Sequence, residues 1–392
     1  MRTLISNARI VTPEEVLTGI CVFSDGTIEY VGADLSEANR ASGIDNIIDA
    51  RGGYVLPGFI DIHCHGGRNF DFMDATAEQM KVIADFHLSH GTTTMFATTL
   101  AGEEKETEQS LKEFGKYLKA NPDGTLKGIH LEGPWLNPLQ CGAQDVKYMR
   151  NPDPNELIRL KNLYPYIARV SAAPELIGGL EFGLTGDSLG IVMSAAHTDA
   201  DFDGIIDAYN NGYRMLTHFY SGMKGVTRKN SFRIAGAVEA GYYLDGMDVE
   251  IIADGRHLPK SLLKLIYKIK GADKICLITD AVRAAGLPDG SESVIGSLKN
   301  GMPIIVEDQV AKLPDRQSFA GSTATADRLY RTMAEAIGKD LPALSRMSSL
   351  TPARVMGLKD RGSIEIGKRA DILIMDEDLE IQKIILKGEV IK

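Results

Sequence analysis

Cysteine is scarce in this 392-residue sequence. The four cysteines are Cys21, Cys64, Cys141 and Cys276, and no two of them form a C-x-x-C pair. Neither a disulfide framework nor a thiolate zinc site is therefore expected, and a reducing compartment is the simplest interpretation. Basic residues are also in deficit, because 43 Lys and Arg against 53 Asp and Glu give a net charge of -10. Non-specific nucleic-acid binding needs a basic footprint, so no nucleic-acid partner is expected.

Long apolar segments are missing as well. No uninterrupted apolar run reaches the ~18 residues that mark a membrane-spanning helix. The N-terminal segment MRTLISNARIVTPEE has too many polar residues for the apolar core of a signal peptide. We therefore expect a cytoplasmic protein with no membrane partner. A small anionic substrate stays compatible with the negative net charge, because a local basic pocket can form on an acidic protein.

What the sequence does contain is a recurring unit of a short apolar run, a polar or glycine-containing break and a helical stretch. Alternating strand and helix units predict a parallel sheet covered on both faces. Eight units predict a closed (β/α)8 barrel of the TIM type, with a doubly wound open sheet as the competing fold. The eight apolar runs are 55–65, 92–99, 126–132, 168–174, 191–197, 214–218, 249–254 and 274–280.

The two ends of the chain have a different pattern. Residues 1–53 and 351–392 contain short alternating strands, with an S-D-G-T hairpin signal between Phe23 and Ile28. Neither end has enough apolar residues for its own core. We expect the two ends to form one small β-sandwich domain beside a barrel of residues 54–350; the alternative is two separate decorations of the barrel.

Polar residues fall at the carboxyl ends of the apolar runs. His63 and His65 end the first run and share one face of a strand, because side chains two apart point the same way. Asp61 lies one step earlier on that face and is expected to orient a histidine. Taken alone, the H-x-H pair favours two hydrogen-bonded loop histidines over a metal site.

The same placement recurs along the chain. Five of the eight histidines and three acids lie at or just after the ends of predicted parallel strands, which converge at the mouth of a barrel. Imidazole and carboxylate ligands without thiolate suit Zn(II), Fe(II), Mn(II) or Co(II). The remaining acids and histidines of this set are Glu132, His197, His218, Asp254, His257 and Asp280.

Ordered motifs over essentially the whole chain resemble the N-acetylglucosamine-6-phosphate deacetylase family of the amidohydrolase superfamily. These motifs are PGFIDIHCHGG, HLEGPWLNP, AAHTDA, THFYSGM, IADGRHL, ITDAVRAAGLPDG, FAGST, TPARVMGL and GSIEIGKRADILIMD. The resemblance implies hydrolysis of the acetamide of an N-acetylhexosamine 6-phosphate, such as N-acetyl-D-glucosamine 6-phosphate. It also implies a barrel with a small β domain built from both termini.

The resemblance implies a ligand set, position by position. Glu132, His197 and His218 would hold the principal divalent metal. His63 and His65 would hold a second one, with Glu132 bridging the two. Some members of the family lack these two histidines and use one metal, so one or two metals per chain are expected.

Roles in catalysis and substrate binding follow from the same resemblance. Asp280 would act as general base and acid, and His257 would contact the sugar. The sequence departs from the family at two places. Ser221 and Gly222 replace an Asn-Ala pair that contacts the substrate, and Gln144 replaces a histidine that contacts the acetyl carbonyl. A glutamine amide still donates a hydrogen bond to an oxyanion but cannot be cationic.

These departures keep two alternatives open. One is an amidohydrolase that acts on another N-acyl amino sugar, such as N-acetylgalactosamine 6-phosphate, or on a cyclic amide. The other is a catalytically silent sugar-phosphate sensor, against which the intact ligand set and Asp280 speak. The segment GMKGVTRKNSFR is basic and contains Arg228. We expect a homodimer, in which this segment contacts the substrate phosphate in its own or in the neighbouring subunit. The alternative is a solvated loop.

Overall fold

The barrel is built from eight parallel strands in a computed structural model that describes residues 1–33 and 43–392. Residues 34–42, which fall in the predicted terminal domain, lie outside the described residues. Barrel strands one to eight are Phe59–Cys64, Thr92–Thr99, Leu126–Glu132, Ile167–Ala172, Val192–Ala195, Tyr213–Leu216, Asp248–Ile251 and Ile275–Leu277. Each of the eight predicted apolar runs contains one of them or overlaps it.

The eight strands lie in sequence order in one sheet, and the first and eighth approach each other. The Asp280 N–H donates to the His63 carbonyl oxygen at 2.9 Å, and Cys64 and Ala281 form a parallel bridge. The sheet therefore nearly closes on itself, which confirms the predicted (β/α)8 barrel and rules out the open sheet.

A helix follows each barrel strand. These eight helices are Ala77–Ser89, Glu104–Ala120, Pro154–Leu163, Gly179–Ser188, Phe202–Asn210, Ala237–Tyr243, Lys260–Lys270 and Ala326–Ile337. The first begins in a capping box, in which the Thr76 hydroxyl accepts from the Gln79 N–H and the Gln79 side chain accepts from the Thr76 N–H. Met80, Ile83 and Ala84 form its buried face against the barrel.

Smaller helical elements complete the barrel. Three helical elements follow one another near the end of the barrel: the helix Leu341–Ser345, the π-helical turn Arg346–Leu350 and the helix Thr351–Val355. Short 3-10 turns occupy Pro138–Gln140, Val146–Tyr148 and Ala272–Lys274. Ala353, in the last of these helices, packs with Ile60, Ile62 and Phe96 of the barrel strands.

Strands from both ends of the chain form one eight-stranded sheet outside the barrel. Its strands are Arg2–Val11, Val16–Ser24, Thr27–Gly32, Asn46–Asp49, Tyr54–Pro57, Ile372–Met375, Ile381–Leu386 and Glu389–Val390. Tyr54–Pro57 joins the two ends, because it pairs with both Arg2–Val11 and Ile372–Met375. Asp25 and Gly26 both have positive φ, as the predicted two-residue hairpin requires. The fold class expected from the sequence is confirmed, whereas the domain limits at residues 53 and 351 stay a prediction.

Two insertions flank the mouth of the barrel. A four-stranded sheet of Glu292–Ile295, Met302–Glu307, Val310–Lys312 and Phe319–Ser322 packs its own apolar cluster against Leu100. The second insertion is an exposed hairpin of Thr227–Lys229 and Phe232–Ile234, which follows the sixth barrel strand. A smaller pair of strands, Gly66–Gly67 with Phe70–Asp71, follows the first barrel strand. Among the described residues, no helix has the length and apolar character needed to cross a membrane.

Candidate active site and metal centre

A pocket of ≈ 220 Å³ opens at the carboxyl ends of the barrel strands. Nearly all the residues that the sequence singled out lie in its walls. They are His65, Glu132, Gln144, His197, His218, Ser221, Gly222, His257 and Asp280. His63 lies fully buried beside these walls, in contact with His65. Arg228 is not among the residues that line the pocket.

One group of candidate metal ligands comes from the first and eighth strands. His63, His65 and Asp280 place ligand atoms within 4.8 Å of one another, and we call them the first ligand group. The Nε2 atoms of His63 and His65 lie 3.1 Å apart, and Asp280 Oδ1 lies 3.1 Å from His65 Nε2. The expectation that strand ends one and eight would converge is met by these distances.

The second ligand group is formed by Glu132, His197 and His218, from strands three, five and six. Glu132 Oε1 lies 3.0 Å from His218 Nε2 and 3.4 Å from His197 Nε2. Glu132 also faces the first group, with Oε2 at 3.3 Å from His65 Nε2 and Oε1 at 3.6 Å from His63 Nε2. The carboxylate therefore lies between the two groups, where a bridging ligand would have to be.

The backbone is strained at three of these positions. His197, His218 and Asp280 have φ angles of 42°, 30° and 48°, in the left-handed region that non-glycine residues rarely adopt. Such a conformation costs on the order of 1–3 kcal/mol at each residue and is typically kept where function requires it. All three side chains line the pocket at the mouth of the barrel.

Ring orientation is set by acceptors on the far nitrogen of each imidazole. His197 Nδ1 donates to the Gln140 carbonyl oxygen at 2.7 Å, and His218 Nδ1 donates to the Ser221 carbonyl oxygen at 3.1 Å. Because a carbonyl oxygen can only accept, the neutral form of each ring has its lone pair at Nε2, the atom that faces Glu132. This is the tautomer that binds a metal ion.

The charges of the site favour a bound cation. Burial opposes ionisation of Glu132, but His63, His197 and His218 outweigh it and hold its pKa well below the usual range. Burial would lower the pKa of His65, yet its contacts with Asp280 and Glu132 raise it to about 9. The site is therefore an ionised carboxylate among imidazoles, which is a suitable donor set for a divalent metal ion once the rings have lost their extra protons. The residues present therefore fit the expected metal.

The expectation that Asp61 would orient a histidine ring is wrong. Its carboxylate accepts from the Thr279 hydroxyl at 2.5 Å and from the His63 backbone N–H at 3.2 Å. Asp61 lies deeper in the barrel than the imidazoles and ties strand one to the end of strand eight. Burial raises the pKa of this carboxyl to about 6, despite the hydrogen bonds that favour the charged form.

Glu250 holds the His63 ring instead, and the sequence analysis did not find it. Its Oε2 lies 3.1 Å from His63 Nδ1, and its Oε1 accepts from the Arg169 guanidinium. Burial would raise the pKa of Glu250, but Arg169 and His63 outweigh burial and lower it to about 2. A signal was present, because Glu250 and Arg169 are charged residues inside two of the predicted apolar runs, 249–254 and 168–174, where an unpaired charge is too costly to bury.

The Gln144 amide lies beside Glu132 in the wall of the pocket. Its Nε2 donates to Glu132 Oε2 at 2.7 Å, and its Oε1 accepts from the Ala101 N–H at 2.7 Å. The amide is therefore held by two partners and stabilises the ionised form of Glu132. One amide hydrogen stays available toward the pocket.

The Asp254 carboxylate orients the His257 ring. The Asp254 carboxylate accepts from His257 Nδ1 at 2.8 Å, so the other ring nitrogen of His257 is left for the pocket, beside the Phe319 ring. Gly222, at φ 58°, lies against His197: an added Cβ would be 3.0 Å from His197 Nδ1. Ser221 lies in the same turn and positions His218 through its carbonyl group.

The other histidines lie in neither ligand group. His130 lies inside the barrel and is hydrogen-bonded to Ser171 Oγ at 2.7 Å. His87 contacts the Gly66 carbonyl oxygen at 2.9 Å, and His90 pairs with Asp327 at 3.3 Å.

Arg228 lies on the exposed hairpin Thr227–Lys229, next to solvent. Its side chain is fully outside the pocket of its own chain. The contact of Arg228 with a substrate phosphate, in its own or in a neighbouring subunit, stays a prediction.

Comparisons with known proteins agree with this geometry. The sequence model of the amidohydrolase family matches residues 54–391. An N-acetylglucosamine-6-phosphate deacetylase of Bacillus subtilis (strain 168) is 32% identical over 99% of this chain and 96% of its own. An N-acetylgalactosamine-6-phosphate deacetylase of Escherichia coli O157:H7 is 30% identical over 86% of this chain and 87% of its own.

A solved structure is similar over the whole length. It is a variant N-acetyl-D-glucosamine-6-phosphate deacetylase from Mycobacterium smegmatis in complex with N-acetyl-D-glucosamine-6-phosphate. It has a TM-score of 0.90 and 29% identity, with 99% of each chain covered. The chain therefore belongs to the amidohydrolase family and, within it, to the N-acetylglucosamine-6-phosphate deacetylase family.

Proposed function

We propose that the protein is a metal-dependent deacetylase that hydrolyses the linear amide of an N-acetylhexosamine 6-phosphate, preferentially N-acetyl-D-glucosamine 6-phosphate. The products are the amino sugar phosphate and acetate. The observation that carries this proposal is the position of Asp280, a carboxylate at 3.1 Å from His65 inside a pocket that both ligand groups face. A metal-binding module without turnover has no use for such a base.

The metal-binding residues follow from the two ligand groups. Glu132, His197 and His218 would hold the principal divalent ion, and His63 and His65 would hold a second one with the help of Glu132. Zn(II), Fe(II), Mn(II) and Co(II) suit these donors. A divalent ion bound here supplies Lewis acidity to the attacking water and to the amide carbonyl.

Asp280 moves the proton. Its carboxylate accepts one proton from the attacking water as the oxygen adds to the acetyl carbon. It then gives that proton to the sugar nitrogen as the C–N bond breaks, so that the amine and acetate leave. Burial opposes the charged form, but His63 and His65 outweigh burial and lower the pKa of Asp280, which keeps the base ionised at neutral pH.

The sugar is held by the residues around the metal groups. His257 presents its free ring nitrogen to the sugar, and the turn of Ser221 and Gly222 forms the neighbouring wall. The spare amide hydrogen of Gln144 donates to the oxygen that becomes negative during attack, although a neutral amide stabilises that charge less than an imidazolium.

The phosphate requires a cation that the pocket does not have. Among the described residues that line the pocket there is no lysine or arginine. We propose that the protein is a homodimer in which Arg228 contacts the phosphate bound in the partner subunit. Val226 and Phe232, 56% and 76% exposed beside Arg228, give this hairpin the apolar surface that a subunit contact needs.

A cytoplasmic location is part of the proposal. All four cysteines are free, and three of them are buried, as suits a reducing compartment. The substrate proposed here is a sugar phosphate, whose charge keeps it in the compartment where it is made.

The test is acetate release from a panel of N-acetylhexosamines, each with and without the 6-phosphate, by protein loaded with Zn(II), Mn(II), Fe(II) or Co(II). N-Acetyl-D-glucosamine 6-phosphate should have the highest kcat/KM, and its unphosphorylated form should be turned over poorly. Absence of acetate release from every phosphorylated member, with a metal bound, would reject the proposal.

A second candidate is an amidohydrolase for another N-acyl amino sugar, such as N-acetylgalactosamine 6-phosphate. Ser221, Gly222 and Gln144 favour it, because these three residues line the pocket and depart from the family pattern. The same panel decides between the two through the ratio of kcat/KM for the two epimers. A cyclic amide is a further substrate that the panel can include.

A further inference from the structure

Glu250 is a buried carboxylate that none of the proposed catalytic steps uses. It lies in the seventh barrel strand, Asp248–Ile251, fully shielded from solvent below the pocket. Its Oε1 accepts from Arg169, another fully buried residue, which also donates to Thr217 Oγ1 at 3.0 Å. The charge is therefore compensated within the barrel, but compensation alone leaves the second carboxylate oxygen unexplained.

That second oxygen contacts both ligand groups. Glu250 Oε2 lies 3.1 Å from Nδ1 of His63, in the first group, and 3.1 Å from the backbone N–H of His218, in the second. His63 and His218 are far apart in the sequence and come from different strands. One atom thus holds the ring of one ligand and the main chain of another.

We infer that Glu250 is a positioning residue that fixes the first ligand group relative to the second and thereby sets the affinity of the second metal site. A carboxylate oxygen carries no hydrogen, so His63 Nδ1 must donate to it. In the neutral ring, which is the form that binds a metal ion, the lone pair is then at Nε2, the atom that faces His65, Glu132 and Asp280. Partners of this kind fix the tautomer and orientation of a metal-binding histidine.

The backbone contact has its own consequence. His218 has a strained φ of 30°, and its N–H would be without an acceptor inside the barrel if Glu250 were absent. The carboxylate therefore supports the conformation that turns His218 toward Glu132. The inference rests on the proposed function for its divalent ion. Its test measures metal binding rather than turnover, so the two can fail separately.

The experiment compares Zn²⁺ binding by metal-free wild type and Glu250→Gln in calorimetric titrations, with Co²⁺ absorption spectra to report ligand geometry. The variant keeps the shape of the side chain and removes its charge. We expect wild type to bind two ions. In Glu250→Gln the weaker ion should bind about 10–100-fold less tightly, the range that such supporting residues give. The stronger ion should change less, with an altered Co²⁺ spectrum.

The control variant Asp61→Asn removes a buried charge from the same region without touching an imidazole nitrogen. It alters a carboxylate that contacts Thr279 and the His63 main chain. It should lower the melting temperature of the metal-free protein and leave both Zn²⁺ affinities within a few-fold of wild type. If Glu250→Gln alone does not fold, Glu250→Gln with Arg169→Met removes the unpaired cation as well, and its affinities are compared with those of wild type and of Asp61→Asn.

Three results would overturn the inference. The first is a Glu250→Gln protein that binds both ions as tightly as wild type. The second is an equal loss of affinity in Asp61→Asn, which would make the effect one of general stability. The third is a wild-type chain that binds a single ion and keeps its affinity in His63→Ala.

Discussion

The two ligand groups contain the same kinds of side chain but are held in different ways. In the second group, main-chain carbonyls fix the rings of His197 and His218, and both residues have a strained backbone. In the first group, the Glu250 side chain fixes His63, while Nδ1 of His65 has no hydrogen-bond partner among the described residues. The second group is thus set by loop conformation and the first by side-chain contacts.

This difference predicts which metal site should keep its affinity better when nearby residues are substituted. A main-chain acceptor cannot be removed by a single substitution, whereas a supporting side chain can. The second group should therefore bind the principal ion in any variant that folds and keeps Glu132, His197 and His218. The first group should respond to changes deep in the barrel, as the Glu250 experiment tests.

The largest effect should come from Glu132→Ala, because its carboxylate contacts both groups. We expect loss of the principal ion and of the second with it, and activity at background. His65→Ala is the matched comparison, since it alters the first group only. It should keep one ion per chain by elemental analysis. Full metal occupancy in Glu132→Ala would break the assignment of both groups.

An intermediate effect is expected outside the pocket, from Arg228→Ala. If the partner subunit supplies this cation, KM for the phosphorylated substrate should rise about tenfold or more, since a charge-assisted hydrogen bond is worth about 1.5–3 kcal/mol. The value of kcat should stay near wild type. Lys229→Ala on the same hairpin is the control, and equal KM values in all three proteins would remove the hairpin from substrate binding.

The last predicted effect is on the free energy of unfolding and comes from the buried residue His87. Burial lowers the pKa of His87 to about 4, despite its hydrogen bond to Gly66, so the folded protein keeps this imidazole neutral. Below the unfolded value of about 6.5 the unfolded chain takes up a proton that the folded chain does not. The free energy of unfolding should therefore fall as pH drops from about 6.5 to about 4, by up to ~3 kcal/mol from this residue.

Denaturant titrations of metal-free wild type and His87→Gln across that pH range measure this contribution. The glutamine has no proton to gain, so its unfolding free energy should fall less steeply. Parallel curves for the two proteins would show that His87 does not titrate differently on folding.

Local patterns predicted the barrel and most of the pocket. Apolar runs with polar residues at their ends identify strands and one edge of a sheet, and that edge holds His63, His65 and Glu132. The contact of Glu250 with His63 depends on barrel closure, which brings strands one and seven together across the interior. No spacing rule connects residues that far apart, so only the structure could find it.

Two further features also needed the structure. Asp61 shares a strand face with the histidines, but the depth at which it enters the barrel decides that it contacts Thr279 instead. Gln144 lies in a loop, and its bond to Glu132 follows from the path of that loop over the mouth of the barrel. A short sequence motif indicates neither how deep a strand residue lies in the barrel nor which path a loop takes over its mouth.

The central claim is that Asp280 is the proton-transferring base of a metal-dependent deacetylase. The most direct measurement is kcat for N-acetyl-D-glucosamine 6-phosphate, per bound metal, in wild type and Asp280→Asn. The asparagine keeps the shape of the side chain and removes the proton acceptor, so kcat should fall by about 10²–10⁴-fold while KM changes little. A value of kcat per metal within a few-fold of wild type would contradict the claim.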